Sequence, residues 1–248
     1  MNRGWRGFRH VPMEHDSAGL SEFYASPVGQ VARRVIQRRL RDIWPDTAGV
    51  RLLGYGFAIP FLRSFAPEAE LVTALVPEPL GPVAWPADAG LSVLAQEDAL
   101  PFPDALFDRV LVVHGLESAE SLRPLMRQLW RVLAPSGKLL LVAPNRTSLW
   151  AQVERSPFAH GRPFNRAQLD ALLRDTLYTA DRWDYALMMP PLKSRRLLGR
   201  GISWEKMGRR FWPALAGVHI VEATKSMYAL TPPVAVKQER RLFASARG

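Results

Sequence analysis

From Val50 onward the chain alternates short apolar runs with longer amphipathic stretches, and this alternation constrains the fold more than any other feature. Strands buried on both faces read as near-continuous hydrophobic runs, and parallel neighbours need a crossover segment that is usually a helix. The runs fall at residues 50–54, 70–75, 91–94, 109–113 and 138–143, with two more at 185–189 and 218–223. Helical spacing fills 57–65, 120–133 and 166–174 between them. The expectation is an α/β fold of three layers around a mostly parallel sheet. None of the runs is long enough to cross a bilayer.

A further helix precedes the first strand. Ser26 is placed to cap it, Pro27 suits its first position, and Pro45 stops it. Between them Val28, Val31, Ala32, Val35, Ile36, Leu40 and Ile43 recur at three-and-four spacing, while Arg33, Arg34, Arg38 and Arg41 fall outside the stripe. Residues 1–20 show no apolar periodicity and are expected to form a flexible arm. Arg3, Arg6 and Arg9 are followed by no apolar segment, so a secretory signal is not expected and a cytoplasmic location is. Asn165 with Gln168 has the spacing of a capping box. Residues 190–217, with a helix over 204–215, read as an insertion before the last strand. The single domain then runs from 21 to 237, and 238–248 form a tail.

The chain has no Cys, which removes disulfides, thiolate nucleophiles and cysteine-ligated metals. Its five His residues are scattered without ligand spacing, so no metal is expected. The net charge of +10 lies wholly beyond Asn145, since acids and bases cancel up to that point. Lys193, Arg195, Arg196, Arg200, Lys206, Arg209 and Arg210 are opposed only by Glu205. Such a stretch can mark a surface for nucleic acid, an anionic membrane or an acidic protein, but ordinary solvated positions in an Arg-rich chain are the slightly favoured reading.

Gly54-Tyr55-Gly56 follows the first strand and precedes a helix. Glycine there lets backbone approach a ligand, although a tight strand-to-helix turn needs glycine with or without one. The most specific block runs from Glu97 to Asn145. It contains Glu97-Asp98-Ala-Leu-Pro-Phe, then Phe107-Asp108-Arg-Val-Leu-Val-Val-His114-Gly-Leu-Glu, and later Leu-Trp-Arg-Val-Leu-Ala-Pro-Ser-Gly before the fifth strand. This block resembles the class I S-adenosylmethionine-dependent methyltransferases, in particular their type 11 group. There an acidic residue precedes a Leu-Pro-Phe turn, Phe-Asp opens the fourth strand, and a Pro-Gly-Gly turn precedes the fifth. His160-Gly-Arg-Pro-Phe-Asn165 resembles an element found before a late helix of these enzymes.

The resemblance implies a Rossmann-like methyltransferase sheet whose last strand is antiparallel, with an N-terminal helix as lid or flank. It implies S-adenosylmethionine as cofactor, with Gly54, Tyr55 and Gly56 along its methionine end and Glu97 and Asp98 beside the adenine. His114 would lie at the carboxyl end of the fourth strand, where open α/β sheets bind ligands. The implied activity is methyl transfer to a small-molecule or lipid-like acceptor. A general base is needed only for acceptors that lose a proton, and His114 and His160 are the candidates. His114 could equally be a hydrogen-bonded packing residue. Met188, Met189, Trp204, Met207, Phe211 and Trp212 would form a substrate cover, with Phe211 and Trp212 expected to pack on the sheet.

The chain departs from the family pattern at two places. No acid ends the second strand: Thr73-Ala74-Leu75-Val76-Pro77 precedes the first carboxylate, Glu78, which would have to reach back to a ribose. Phe57-Ala58 stands where a third small residue is common, and Phe57 would stack on a ligand or fill its pocket. These departures favour an alternative: a degenerate methyltransferase fold that binds a partner through its basic C-terminal region. A nucleic-acid substrate is less favoured, because no RNA-binding module is evident and Ala143-Pro144-Asn145-Arg146 lacks the base-amino methyltransferase tetrapeptide.

Overall fold

The computed structural model describes residues 16–83, 85, 91–153, 156–191, 205, 208 and 212–226. Helices α1 (Ser17–Ala25) and α2 (Pro27–Ile43) lead into strand β1 (Arg51–Gly56) and a single helical turn, α3 (Ile59–Leu62). There follow β2 (Leu71–Pro77), β3 (Ser92–Ala95), β4 (Phe107–Val113), α4 (Leu122–Val132) and β5 (Leu133–Pro144). The chain continues through α5 (Arg166–Asp175), β6 (Tyr178–Ala186) and β7 (Val218–Lys225). The seven strands form one sheet in the order β3-β2-β1-β4-β5-β7-β6. Strands β3 to β5 pair in parallel, and β7 runs antiparallel to both β5 and β6.

The period of two along each strand sorts its side chains into two cores. Leu52, Leu111, Leu140 and Ile220 face α1, α2 and α3, whereas Leu53, Val110, Leu139 and Val221 face α4 and α5. Every one of these eight residues is fully buried. That double covering is why the central strands are continuously apolar. Asp108 fixes the entry to the sheet: its carboxylate accepts from the Arg51 backbone N–H at 2.9 Å and from the Arg51 guanidinium at 3.0 and 2.9 Å. The same guanidinium holds the Asp108 carboxyl below its usual range.

Several expectations are corrected. Residues 17–20 belong to α1, whose Asp16 side chain accepts from Gly19 N–H; the helix escapes a periodicity search because only Leu20, Phe23 and Tyr24 face inward. The strand expected at 185–189 is β6, which begins at Tyr178 and ends at Ala186. Its alternation of buried and exposed residues marks the last-placed strand of the sheet, covered less fully than the central ones. The Pro135-Ser136-Gly137 turn lies inside β5 as an irregularity, with Ser136 left-handed at φ 60° and the register to β4 shifting there. Trp212, expected to pack on the sheet, is 58% exposed. The remaining aromatic and methionine positions of the insertion (Trp204, Met207 and Phe211), the basic cluster from Lys193 to Arg210, and the tail lie outside the described residues.

Candidate functional site

The carboxyl ends of β1 and β4 meet at a closed corner. Gly56 is left-handed at φ 81°, and a Cβ there would lie 2.4 Å from the Val113 carbonyl oxygen. The next N–H, that of Phe57, donates to this same oxygen at 2.8 Å. At Gly54 a Cβ would lie 2.5 Å from the Leu62 side chain. Both glycines are therefore demanded by backbone and side chains of the chain itself. Phe57 is buried and stacks parallel to Tyr24 of α1, with ring centroids 6.0 Å apart. It fills the corner rather than lining an open cleft.

His114 follows β4 directly, at the position expected for it, and adopts φ 51°. A left-handed residue other than glycine stores strain of the order of 1 kcal/mol, and such strain clusters at functional sites. Its Nε2 lies 2.7 Å from the Tyr24 hydroxyl and its Nδ1 lies 2.9 Å from Glu117 Oε1. All three residues are buried, at 5% exposure or less. Burial, aided by the Glu117 charge, raises the Tyr24 hydroxyl well above its ordinary pKa, so Tyr24 keeps its proton. The Phe158 ring packs 5.1 Å from the imidazole and also edge-on against Phe23 and Trp150. Sequence reasoning found His114 but missed Tyr24 and Glu117. Glu117, three residues on within the same quoted block, was the available signal; Tyr24 comes from a helix that the apolar pattern did not reveal.

The other candidates are more dispersed. Glu97 Oε2 accepts from the Glu120 N–H at 3.0 Å, so this carboxylate serves the amino end of α4, and burial raises its pKa. Asp98 is exposed. Tyr55 points into the α4 core with its hydroxyl buried and its pKa raised by that burial. Val76, at the end of β2, is buried, and Glu78 lies exposed at the start of the short helical turn Glu78–Leu80. His160 is half-buried in a segment clamped to Glu117: Arg162 N–H donates to the Glu117 carbonyl at 2.9 Å, and Gly161 is left-handed beneath it. The Leu100-Pro101-Phe102 corner is held by Arg131, which donates to the Leu100 and Phe102 carbonyls at 2.8 and 2.7 Å. Beside α1, a groove of about 320 Å³ is lined by Phe23, Pro27, Val28, Trp150 and Val153. Among the described residues no cluster of three His or carboxylate side chains could hold a metal. No described helix is long and apolar enough to cross a membrane.

A family model described as a methyltransferase domain matches residues 75–141. A demethylmenaquinone methyltransferase of Thermus thermophilus is 34% identical over 52% of this chain and 63% of its own. One from Deinococcus radiodurans is 37% identical over 51% of this chain and 52% of its own. The chain thus spans between half and two thirds of the length of these relatives. Among solved structures, a methyltransferase of Thermotoga maritima superposes with a TM-score of 0.60 at 15% identity, covering 83% of this chain and 94% of the other. Its strand order and antiparallel β7 are those of the class I S-adenosylmethionine-dependent methyltransferase fold, and the block around β4 is similar to a methyltransferase domain.

Proposed function

We propose that the protein is an S-adenosylmethionine-dependent methyltransferase whose acceptor is a small apolar ring compound of the quinol type. The observation that carries this reading is the buried His114–Glu117 pair at the carboxyl end of β4, covered by Tyr24, Phe57 and Phe158. The names of the two curated relatives support the acceptor class. So does the apolar lining of the groove beside α1, whose volume falls within the range of ligand pockets, roughly 300–1,000 Å³.

The residues present fit an S-adenosyl ligand at its two ends. Tyr55 Oη and Glu117 Oε2 are buried without a hydrogen-bond partner among the described residues, and a ligand's polar groups would satisfy them. Tyr55 with Glu97 would hold the adenine, and Glu117 would hold the methionine end, which could reach the Gly54–Gly56 turn only with Phe57 displaced from the corner. The ribose side is weaker, because Val76 occupies the end of β2 and only exposed Glu78 could serve. When bound, the cofactor supplies a methyl group activated on sulfonium. The chain supplies position and dryness: Tyr24, Phe57 and Phe158 exclude water, and Glu117 orients the imidazole of His114. His160 would serve through the segment clamped on Glu117.

A second reading, the degenerate binding protein, is favoured by the filled glycine corner and by Val76. Calorimetric titration with S-adenosylmethionine and S-adenosylhomocysteine separates the two. Micromolar binding, followed by transfer of labelled methyl to 1,4-naphthohydroquinone, supports the enzyme. Absence of binding at millimolar ligand in the folded protein refutes it and leaves the binding role.

A further inference from the structure

Tyr24 reaches the carboxyl edge of β4 from the first helix, 90 residues earlier in the chain, to meet one nitrogen of one imidazole. The three side chains run in an unbroken line: the Tyr24 hydroxyl, His114 Nε2, His114 Nδ1 and Glu117 Oε1, at separations of 2.7 and 2.9 Å. Burying three polar groups costs desolvation that three apolar side chains of similar size would avoid, so packing alone does not account for the choice. With Glu117 as carboxylate and the ring neutral, the line has one polarity: Nδ1 carries the ring hydrogen toward Glu117, and Nε2 accepts from the Tyr24 hydroxyl. This is the arrangement of a hydroxyl, an imidazole and an orienting carboxylate through which protons move in many enzymes.

We propose that Tyr24, His114 and Glu117 act as one proton relay, entered at the Tyr24 hydroxyl, which takes up the proton that the methyl acceptor loses. The acceptor is then a compound with a transferable proton, a hydroxyl, N–H or acidic C–H, and not a tertiary amine or thioether. The inference rests on the methyltransferase reading above. In the step, the acceptor's X–H becomes X–CH3, and the S–CH3 bond breaks with its electron pair left on sulfur. The acceptor's proton passes to the Tyr24 oxygen while the Tyr24 proton passes to His114 Nε2. The positive charge lost at sulfur reappears on the imidazolium, where Glu117 balances it. Glu117 is a positioning residue in this scheme, since it acts through His114.

The test uses the full chain and Tyr24→Phe and Glu117→Gln variants, with three readouts. First, nitrogen-detected NMR of the imidazole in the ligand-free protein should find the hydrogen on Nδ1; a hydrogen on Nε2 overturns the relay, whatever the activity. Glu117→Gln should disturb that tautomer. Second, Tyr24→Phe should bind S-adenosylhomocysteine within about threefold of the parent, a difference under 1 kcal/mol. Third, methyl transfer to 1,4-naphthohydroquinone by Tyr24→Phe should lose about 10²- to 10⁴-fold in kcat with KM little changed, the usual worth of a positioned proton acceptor. A kcat within about threefold of the parent overturns the relay while leaving the methyltransferase reading intact. Failure of the parent itself to bind S-adenosylhomocysteine overturns both, and the parent titration identifies that case.

Discussion

His219 offers the sharpest test of how burial sets stability in this fold. It lies on β7 opposite Ala143 of β5 and Tyr185 of β6, and is only 4% exposed. Trp183 and Tyr185 present ring edges to it at 6.4 and 5.7 Å, and neither ring nitrogen has a well-formed hydrogen bond. Burial, opposed by the Phe164 backbone and reinforced by Arg166, pushes its pKa down to about 4 from an ordinary 6.5. Above about pH 6.5 the folded and unfolded chains both hold neutral imidazole, and the group contributes no pH dependence. Between there and about pH 4 the unfolded chain binds a proton that the folded chain refuses, so stability falls as the pH falls. Between pH 7.5 and 5.0 the loss amounts to about 2 kcal/mol. The comparison is urea unfolding of the parent and His219→Leu at both pH values. Carboxylates common to the two proteins cancel, so the parent should lose about 2 kcal/mol more than the variant. Equal losses would refute the assignment of a neutral, desolvated imidazole at this position.

Three further substitutions test particular contacts. Gly56→Ala forces a side chain into a left-handed position and against the Val113 carbonyl, and should cost at least about 2 kcal/mol in a thermal or urea melt. Trp44→Phe removes the buried indole N–H bond to Glu222 at 2.8 Å; the expected loss is about 1–3 kcal/mol, read by urea unfolding. Asn165→Ala deletes the side chain that caps α5 through the Gln168 N–H, and should cost about 1 kcal/mol by the same measurement.

The sequence made the sheet legible wherever burial was two-sided. β1, β2 and β4 carry apolar runs at their centres and β7 is apolar around His219, and the expected centres fall within a residue or two of the observed strands. The α2 stripe, its Ser26 cap and the Asn165–Gln168 box were legible because spacing and capping act locally. β6 was misplaced because Thr179, Asp181 and Arg182 interrupt any apolar run, and only the pairing with β7 makes that stretch a strand. α1 escaped notice because it is short and stands against the sheet on a few side chains. Tyr24, the partner of His114, lies on that helix and carries no local signal of its own. Glu97 illustrates the converse: the block that resembles these methyltransferases also contains residues such as this carboxylate, which holds the amino end of α4.

The clamp between the Gly161–Arg162 backbone and Glu117 carries a thermodynamic consequence. The carbonyl that accepts from Arg162 belongs to the residue whose carboxylate orients His114. A molecule whose binding moved the 160–162 segment, and with it the Glu117 carboxylate, would alter the free energy of placing a proton on the imidazole. By reciprocity, the state of that proton must alter the molecule's affinity by the same factor. Occupancy on one side of Glu117 and protonation on the other are two faces of a single coupling, and measuring either one yields the other.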